Sequence, residues 1–229
     1  MSQNTESITS ELNKVSVGPS KKENLCTICA IDPGDANIGV CFLTFPLPTP
    51  EEPRLRYLIT DLFKGELRKE AKGGALVSRV KDTVGFFSET IAMYIKKFKD
   101  NVPGRMHVVV EQQFSNARNE SIATALLSAA AIMGCQIKSA SSQQRYRWIQ
   151  KHFKVNTSGL DKPTRKRIGL KAAQAIEKVF APSDAQSLFN VPGKVDDMSD
   201  AYLIAMKELG STFINMDEHM KTALSHYKK

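Results

Sequence analysis

Long hydrophobic runs are missing from this chain: nowhere do about 18 apolar residues follow one another, so no segment reads as a membrane-spanning helix. The first ten residues are polar and lack the charged start and apolar stretch of a secretory leader. The expectation is a soluble, intracellular protein, nuclear or cytoplasmic and not secreted. Cysteine is scarce. Cys26 and Cys29 form a lone Cys-x-x-Cys inside an apolar run, where strand periodicity points them to opposite faces, and Cys41 and Cys135 have no His or Cys nearby to complete a zinc site. Reduced core thiols are the economical reading. The four histidines (107, 152, 219 and 226) show no ligand spacing, and aromatic residues make up only 7% of the chain, with Trp148 the single tryptophan.

What is present fits one ordinary domain with tails: 229 residues, of which 41% are hydrophobic. The net charge of +8 favours a polyanionic partner, and its distribution says more than its total. Between Ser142 and Phe180 stand ten Lys or Arg against two acids, while the remainder of the chain is balanced.

Residues 1–24 are rich in Ser, Asn, Lys and Glu and read as a flexible tail; the domain spans 25–210 and a C-terminal extension covers 211–229. Apolar runs at 25–31 and 38–45, separated by Pro33-Gly34-Asp35-Ala36-Asn37, predict two strands and a turn. A Pro-rich loop leads to a third strand at about 54–63, where Leu55, Tyr57 and Ile59 alternate. A helix is predicted over 76–98, a strand over 106–110 that delivers Glu111 at its end, and an Ala-rich helix over 119–133 closed by Gly134. A fifth strand (136–140) precedes a helix over 142–153 capped by Ser142, with an apolar stripe of Tyr146, Ile149 and Phe153. Helices over 164–179 and 196–209 and a weak surface helix over 216–229 complete an α/β domain around a mixed sheet.

Four acids stand at the edges of these elements: Asp32 and Glu111 end strands, and Asp197 and Asp200 share one helix face. Hydrolysis of a phosphodiester needs an activated water and a stabilised leaving oxyanion, and hard divalent ions held by carboxylates supply both. Singly, each acid has a plainer reading: Asp32 starts a tight turn, and Asp196, Asp197 and Asp200 enrich a helix N-terminus. Glu111 resists that reading, because a carboxylate at the end of an apolar strand is costly unless solvated or bound to a cation.

Asp32-Pro33-Gly34 with Gly39 after it, Glu111-Gln112 followed by Phe114, and Asp197-x-x-Asp200-Ala201 followed by Leu203, Ile204 and Ala205 together resemble the RuvC family of Holliday junction resolvases, in the ribonuclease H-like superfamily. The resemblance covers about residues 25–206. It implies a ribonuclease H-like α/β fold, with a central mixed five-stranded sheet flanked by helices. It also implies a homodimer acting on four-way junction DNA by paired symmetrical nicks, with no membrane and no small-molecule cofactor. Asp32, Glu111, Asp197 and Asp200 would bind magnesium, with manganese able to substitute, two ions per site. The insert at 46–53, the tail and the extension after Leu209 suggest the divergent resolvases of large eukaryotic DNA viruses or a eukaryotic relative. The sites also admit a ribonuclease H-like enzyme acting on RNA:DNA hybrid or structured RNA, or a non-catalytic junction-binding protein.

Phe114 resembles a family aromatic that contacts bases, and equally reads as a buried residue at the strand end. The run Lys162-Pro163-Thr164-Arg165-Lys166-Arg167, at a helix N-terminus with Lys171 one turn beyond Arg167, reads as a phosphate-binding strip. Its plainer readings are a solvated helix face or a nuclear localisation patch. Arg145 and Arg147, with Trp148 among them, extend the candidate DNA face; Trp148 reads equally as a stacking platform or a packed residue. The helix at 76–98 or that at 121–133 offers a face for a dimer.

Overall fold

The computed structural model describes residues 7–8, 24–33, 37–50, 55, 58–66, 75–97, 105–112, 117–181, 187–190 and 195–228. The strands are β1 (Ser7–Ile8), β2 (Leu25–Pro33), β3 (Asn37–Pro46), β4 (Ile59–Glu66), β5 (Met106–Gln112) and β6 (Gln136–Ser141). The helices are α1 (Ala75–Lys97), α2 (Ala117–Ile132), α3 (Ser142–Phe153), α4 (Lys162–Phe180), α5 (Asp196–Glu208) and α6 (Asp217–Tyr227). The strands form one mixed sheet in the order β1-β4-β3-β2-β5-β6. Strands β2, β3 and β4 pair antiparallel, whereas β5 pairs parallel to β2 and β6 parallel to β5. The β5-α2-β6 segment is a parallel crossover, which requires the intervening helix. The five expected strands make up the body of the sheet. Ser7–Ile8 adds a short edge beside β4, within the stretch read as a tail.

Alternation along the strands divides the core into two layers. Cys26, Ile28 and Ala30 of β2, with Val109 of β5, face α3, α4, α5 and α6. Cys29 and Ile31, with Val108 and Val110, face α1 and α2. Cys26 and Cys29 therefore lie on opposite faces of the sheet, as their spacing requires, and all four cysteines are buried free thiols. Asp32 and Glu111 continue the series Ile28-Ala30 and Val109, which places both acids on the α5 side.

Several boundaries differ from the sequence reading. The third strand runs from Ile59, opposite Thr44 of β3, to Glu66, opposite Asn37; residue 54, where its start is expected, lies outside the described residues. Leu55 lies outside the strand but still packs against the α5-side core. The cap of α3 is Ser141, not Ser142: β6 runs into the helix without a loop, and Ser141 Oγ accepts from Gln144 N–H at 3.3 Å. Asp161 accepts from Thr164 N–H at 3.0 Å and starts α4 at Lys162, with Pro163 in its first turn, where a missing N–H costs nothing. Gly134 ends α2 with φ +77, the left-handed conformation that glycine adopts without strain. Finally, α6 is more than a weak surface helix: Met220 and Ala223 are buried in the core beside α4, and the ring of Tyr227 lies 5.0 Å from that of Phe153. No helix among the described residues is long and apolar enough to cross a membrane.

Candidate active site

Strand pairing brings the first two acids together. Ile31 pairs with Val110 across the parallel β2–β5 ladder, so Asp32 and Glu111, each one residue on, stand at adjacent strand ends. Helix α5 lies over these ends, buried on all sides, and contributes Asp197 and Asp200. Its close approach depends on Gly39, the β3 partner of Asp32: a Cβ on Gly39 would fall 2.1 Å from the carbonyl oxygen of Asp197. All four carboxylates are buried, with Asp32 4%, Glu111 1%, Asp197 7% and Asp200 4% exposed.

Arg145 stands among them and corrects one expectation. Its charge and position in the sequence predict a surface residue for DNA, but only 3% of it is exposed. Its Nη1 lies 3.1 Å from Asp200 Oδ1 and its Nη2 lies 3.5 Å from Glu111 Oε1, so the guanidinium bridges β5 and α5. A phosphate on the surface cannot reach it. The signal was present in the sequence: Arg145, Ile149 and Phe153 are spaced by four and are the buried residues of α3. The stripe of Tyr146, Ile149 and Phe153 does face the core, and Arg145 stands one turn before Ile149 beside it. Tyr146 has the Arg145 guanidinium 5.1 Å and the Arg165 guanidinium 5.5 Å from its ring centre.

The electrostatics follow from burial and crowding. Burial, reinforced by the neighbouring Glu111 and Asp197, pushes Asp32 well above the ordinary carboxylate range, against the pull of Arg145. Burial pushes Asp200 up to about 7, opposed by Arg145 and assisted by Asp32. Burial also disfavours the Arg145 cation, but Asp200, Glu111 and Asp32 outweigh it and hold the group above its ordinary value. Lys166 stands at the rim. Its Nζ is 3.2 Å from Asp196 Oδ2 and 3.7 Å from Asp197 Oδ1, and these acids raise its pKa despite partial burial.

The donor set suits hard divalent cations, which prefer carboxylate oxygens. Among the described residues, Asp32 Oδ1 is buried without a hydrogen-bond donor, an oxygen that a cation would satisfy, whereas Glu111 Oε1 faces the Arg145 guanidinium at 3.5 Å. Among the described residues, no three His, Cys, Asp or Glu groups are already gathered as a finished cation cage. The acids share one site with Arg145 among them, so ligation would require them to draw closer.

The remaining candidates are distributed along the rim and beyond it. Lys162, Arg167 and Lys171 on α4 and Arg147 on α3 are exposed, and Arg165 is half-buried against Tyr146. Lys171 Nζ sits 4.8 Å above the ring of Tyr227. Gly169 of α4 faces Asp200, with 3.6 Å between a Cβ placed there and Asp200 Oδ1, so the basic first half of α4 borders the acids. Trp148 is half-buried, packs against the α5-side core and lies 5.0 Å from the His152 ring. Phe114 lies outside the described residues.

No protein-family model matches the sequence, and no curated protein does. Solved structures do. Fowlpox virus resolvase, in a complex with substrate Holliday junction DNA, superposes with TM-score 0.50 at 13% identity, over 81% of this chain and 97% of that one. Thermus thermophilus RuvC superposes with TM-score 0.46 at 18% identity, over 80% of this chain and 92% of that one. The same RuvC in complex with a Holliday junction substrate gives TM-score 0.43 at 16% identity and the same coverage. With the sheet order described above, the superposition on the fowlpox virus protein gives this chain the mixed-sheet α/β fold of that resolvase.

Proposed function

We propose that this chain is a divalent-metal-dependent endonuclease that resolves four-way DNA junctions, as a homodimer making paired symmetrical nicks. The observation that carries the reading is the convergence of Asp32 and Glu111, at adjacent strand ends, with Asp197 and Asp200 of the covering helix. Among the described residues, the buried Oδ1 of Asp32 there has no donor.

Asp32, Glu111, Asp197 and Asp200 would hold magnesium, or manganese in its place. When bound, such ions supply Lewis acidity for phosphodiester hydrolysis at neutral pH. Asp32 and Glu111 offer oxygens from a rigid sheet, and Asp197 and Asp200 offer theirs from a buried helix, so the ligands are held by the scaffold and not by loops. Lys166, beside Asp197, places a cation where the charge on a reacting phosphate would grow. Lys162, Arg165, Arg167 and Lys171 of α4, with Arg147 of α3, would grip neighbouring phosphates, and Phe114 would meet the bases at the branch point. A two-fold symmetric junction suits a two-fold symmetric dimer. The junction complexes of the fowlpox virus and Thermus proteins support this substrate.

The test is to incubate the purified chain and magnesium with labelled four-way junction, linear duplex and RNA:DNA hybrid. Paired nicks confined to the junction are expected. Preferential cutting of the hybrid would leave the carboxylate site standing and move the function to RNA removal. Binding of the junction without cutting, even with manganese, would leave a binding protein.

A further inference from the structure

We propose that Arg145 is a positioning residue, a resident counter-ion that ties Glu111 of the sheet to Asp200 of α5 and lets the fold close over its four acids without a divalent ion. The inference deepens the metal-site reading of those acids and rests on it for its second arm only.

Four carboxylates with exposures of 1–7% make a cluster that water cannot solvate adequately. Their mutual repulsion acts across the seam between β5 and α5, the contact that the fold must close. Arg145 is placed to relieve it. It is the fourth residue of α3, which follows β6 without a loop, so its backbone is fixed to the strand beside β5. Its two terminal nitrogens approach different elements, Nη1 to Asp200 at 3.1 Å and Nη2 to Glu111 at 3.5 Å. The face of Tyr146 lies 5.1 Å from its guanidinium carbon.

Arginine is the residue suited to this place, because it keeps its charge when buried and its planar fork spans two carboxylates. Each contact engages one oxygen of its carboxylate, which leaves the other for a metal. The rim cation, Lys166, meets Asp196 and Asp197, so of the four acids Arg145 serves Glu111 and Asp200 and Lys166 serves Asp197. Because Arg145 and a divalent ion answer the same negative charge, each weakens the need for the other.

The test compares thermal unfolding of the full chain in EDTA for wild type, Arg145→Gln, Arg145→Lys and the double variant Arg145→Gln with Glu111→Gln. Loss of one partner from a buried ion cluster should lower the Tm of Arg145→Gln by on the order of 10 °C. The lysine variant keeps the charge and should recover much of the loss. The double variant should melt above the single one, because it removes the charge that had lost its partner. If the double variant melts below Arg145→Gln, the arginine acts by packing alone and the proposal is overturned. Should Arg145→Gln fail to fold, folding of the double variant supports the proposal and its failure overturns it.

The second arm repeats the comparison in saturating manganese. The Tm deficit of Arg145→Gln should shrink to less than half of that in EDTA; an equal or larger deficit contradicts the counter-ion role. If manganese leaves the wild type and the variants unmoved, the metal reading fails, while the EDTA series still decides the role of Arg145.

Discussion

The backbone of α5 comes so close to Gly39 that a β-carbon there would lie 2.1 Å from the carbonyl oxygen of Asp197 and 2.5 Å from its carbonyl carbon. Both contacts are backbone, so no side-chain rotation can relieve them. Gly39→Ala should push the first turn of α5 off β3, move Asp197 and Asp200 away from Asp32, and cost more than the ~1–3 kcal/mol usual for an overpacked core. Gly169→Ala, on the other side of Asp200, meets only ordinary contacts at 3.6 Å and should be tolerated. Unfolding midpoints and junction-cutting rates of the two variants check this; equal behaviour would show that the close approach does not position the helix.

Asp200 gives the metal-free chain a pH dependence of definite sign. Its carboxyl is raised from 3.8 to about 7 on folding, by burial first. Between those values the folded chain keeps a proton that the unfolded chain has released. The stabilising contribution is therefore fully present below pH 3.8 and is lost as pH rises through about 7. In EDTA, the wild-type Tm should fall relative to that of Asp200→Asn across this window. Parallel profiles would contradict the assignment.

The cations of the basic strip should separate into two kinds. Lys162 and Arg167 are exposed, and each substitution to Ala should weaken junction binding while lowering the slope of log affinity against log salt by about 1, with little change in Tm. Lys166 is bound to Asp196 and Asp197, so Lys166→Ala should reduce cutting and also alter stability. Filter binding over a salt series, beside melting curves, distinguishes the two; an unchanged slope for Arg167→Ala would place that residue outside the phosphate contacts.

Much of the site was legible because period-two and period-four patterns survive folding. Alternation from Cys26 to Asp32 and from Val109 to Glu111 assigns both acids to one face, and the three-residue spacing of Asp197 and Asp200 places them together on α5. Arg145 looks exposed in the sequence because a charged residue ordinarily faces solvent, and its partners, Glu111 and Asp200, are 34 and 55 residues away. Leu55 joins the expected third strand by its apolar character, yet it packs against the α5-side core ahead of β4. The C-terminal helix seemed peripheral because its pattern is short. Its Met220 and Ala223 fill a core surface that only the fold of α4 creates.

If the four buried carboxylates constitute a metal-dependent nuclease site, cutting depends on both the metal and Asp200. The most direct measurement is the rate of four-way junction cutting by wild type and Asp200→Asn, in magnesium and in EDTA, with junction binding followed in parallel. Wild type should cut in magnesium alone, and Asp200→Asn should bind the junction and leave it intact. Cutting by Asp200→Asn at the wild-type rate, or cutting by wild type that persists in EDTA, would contradict that reading of the site.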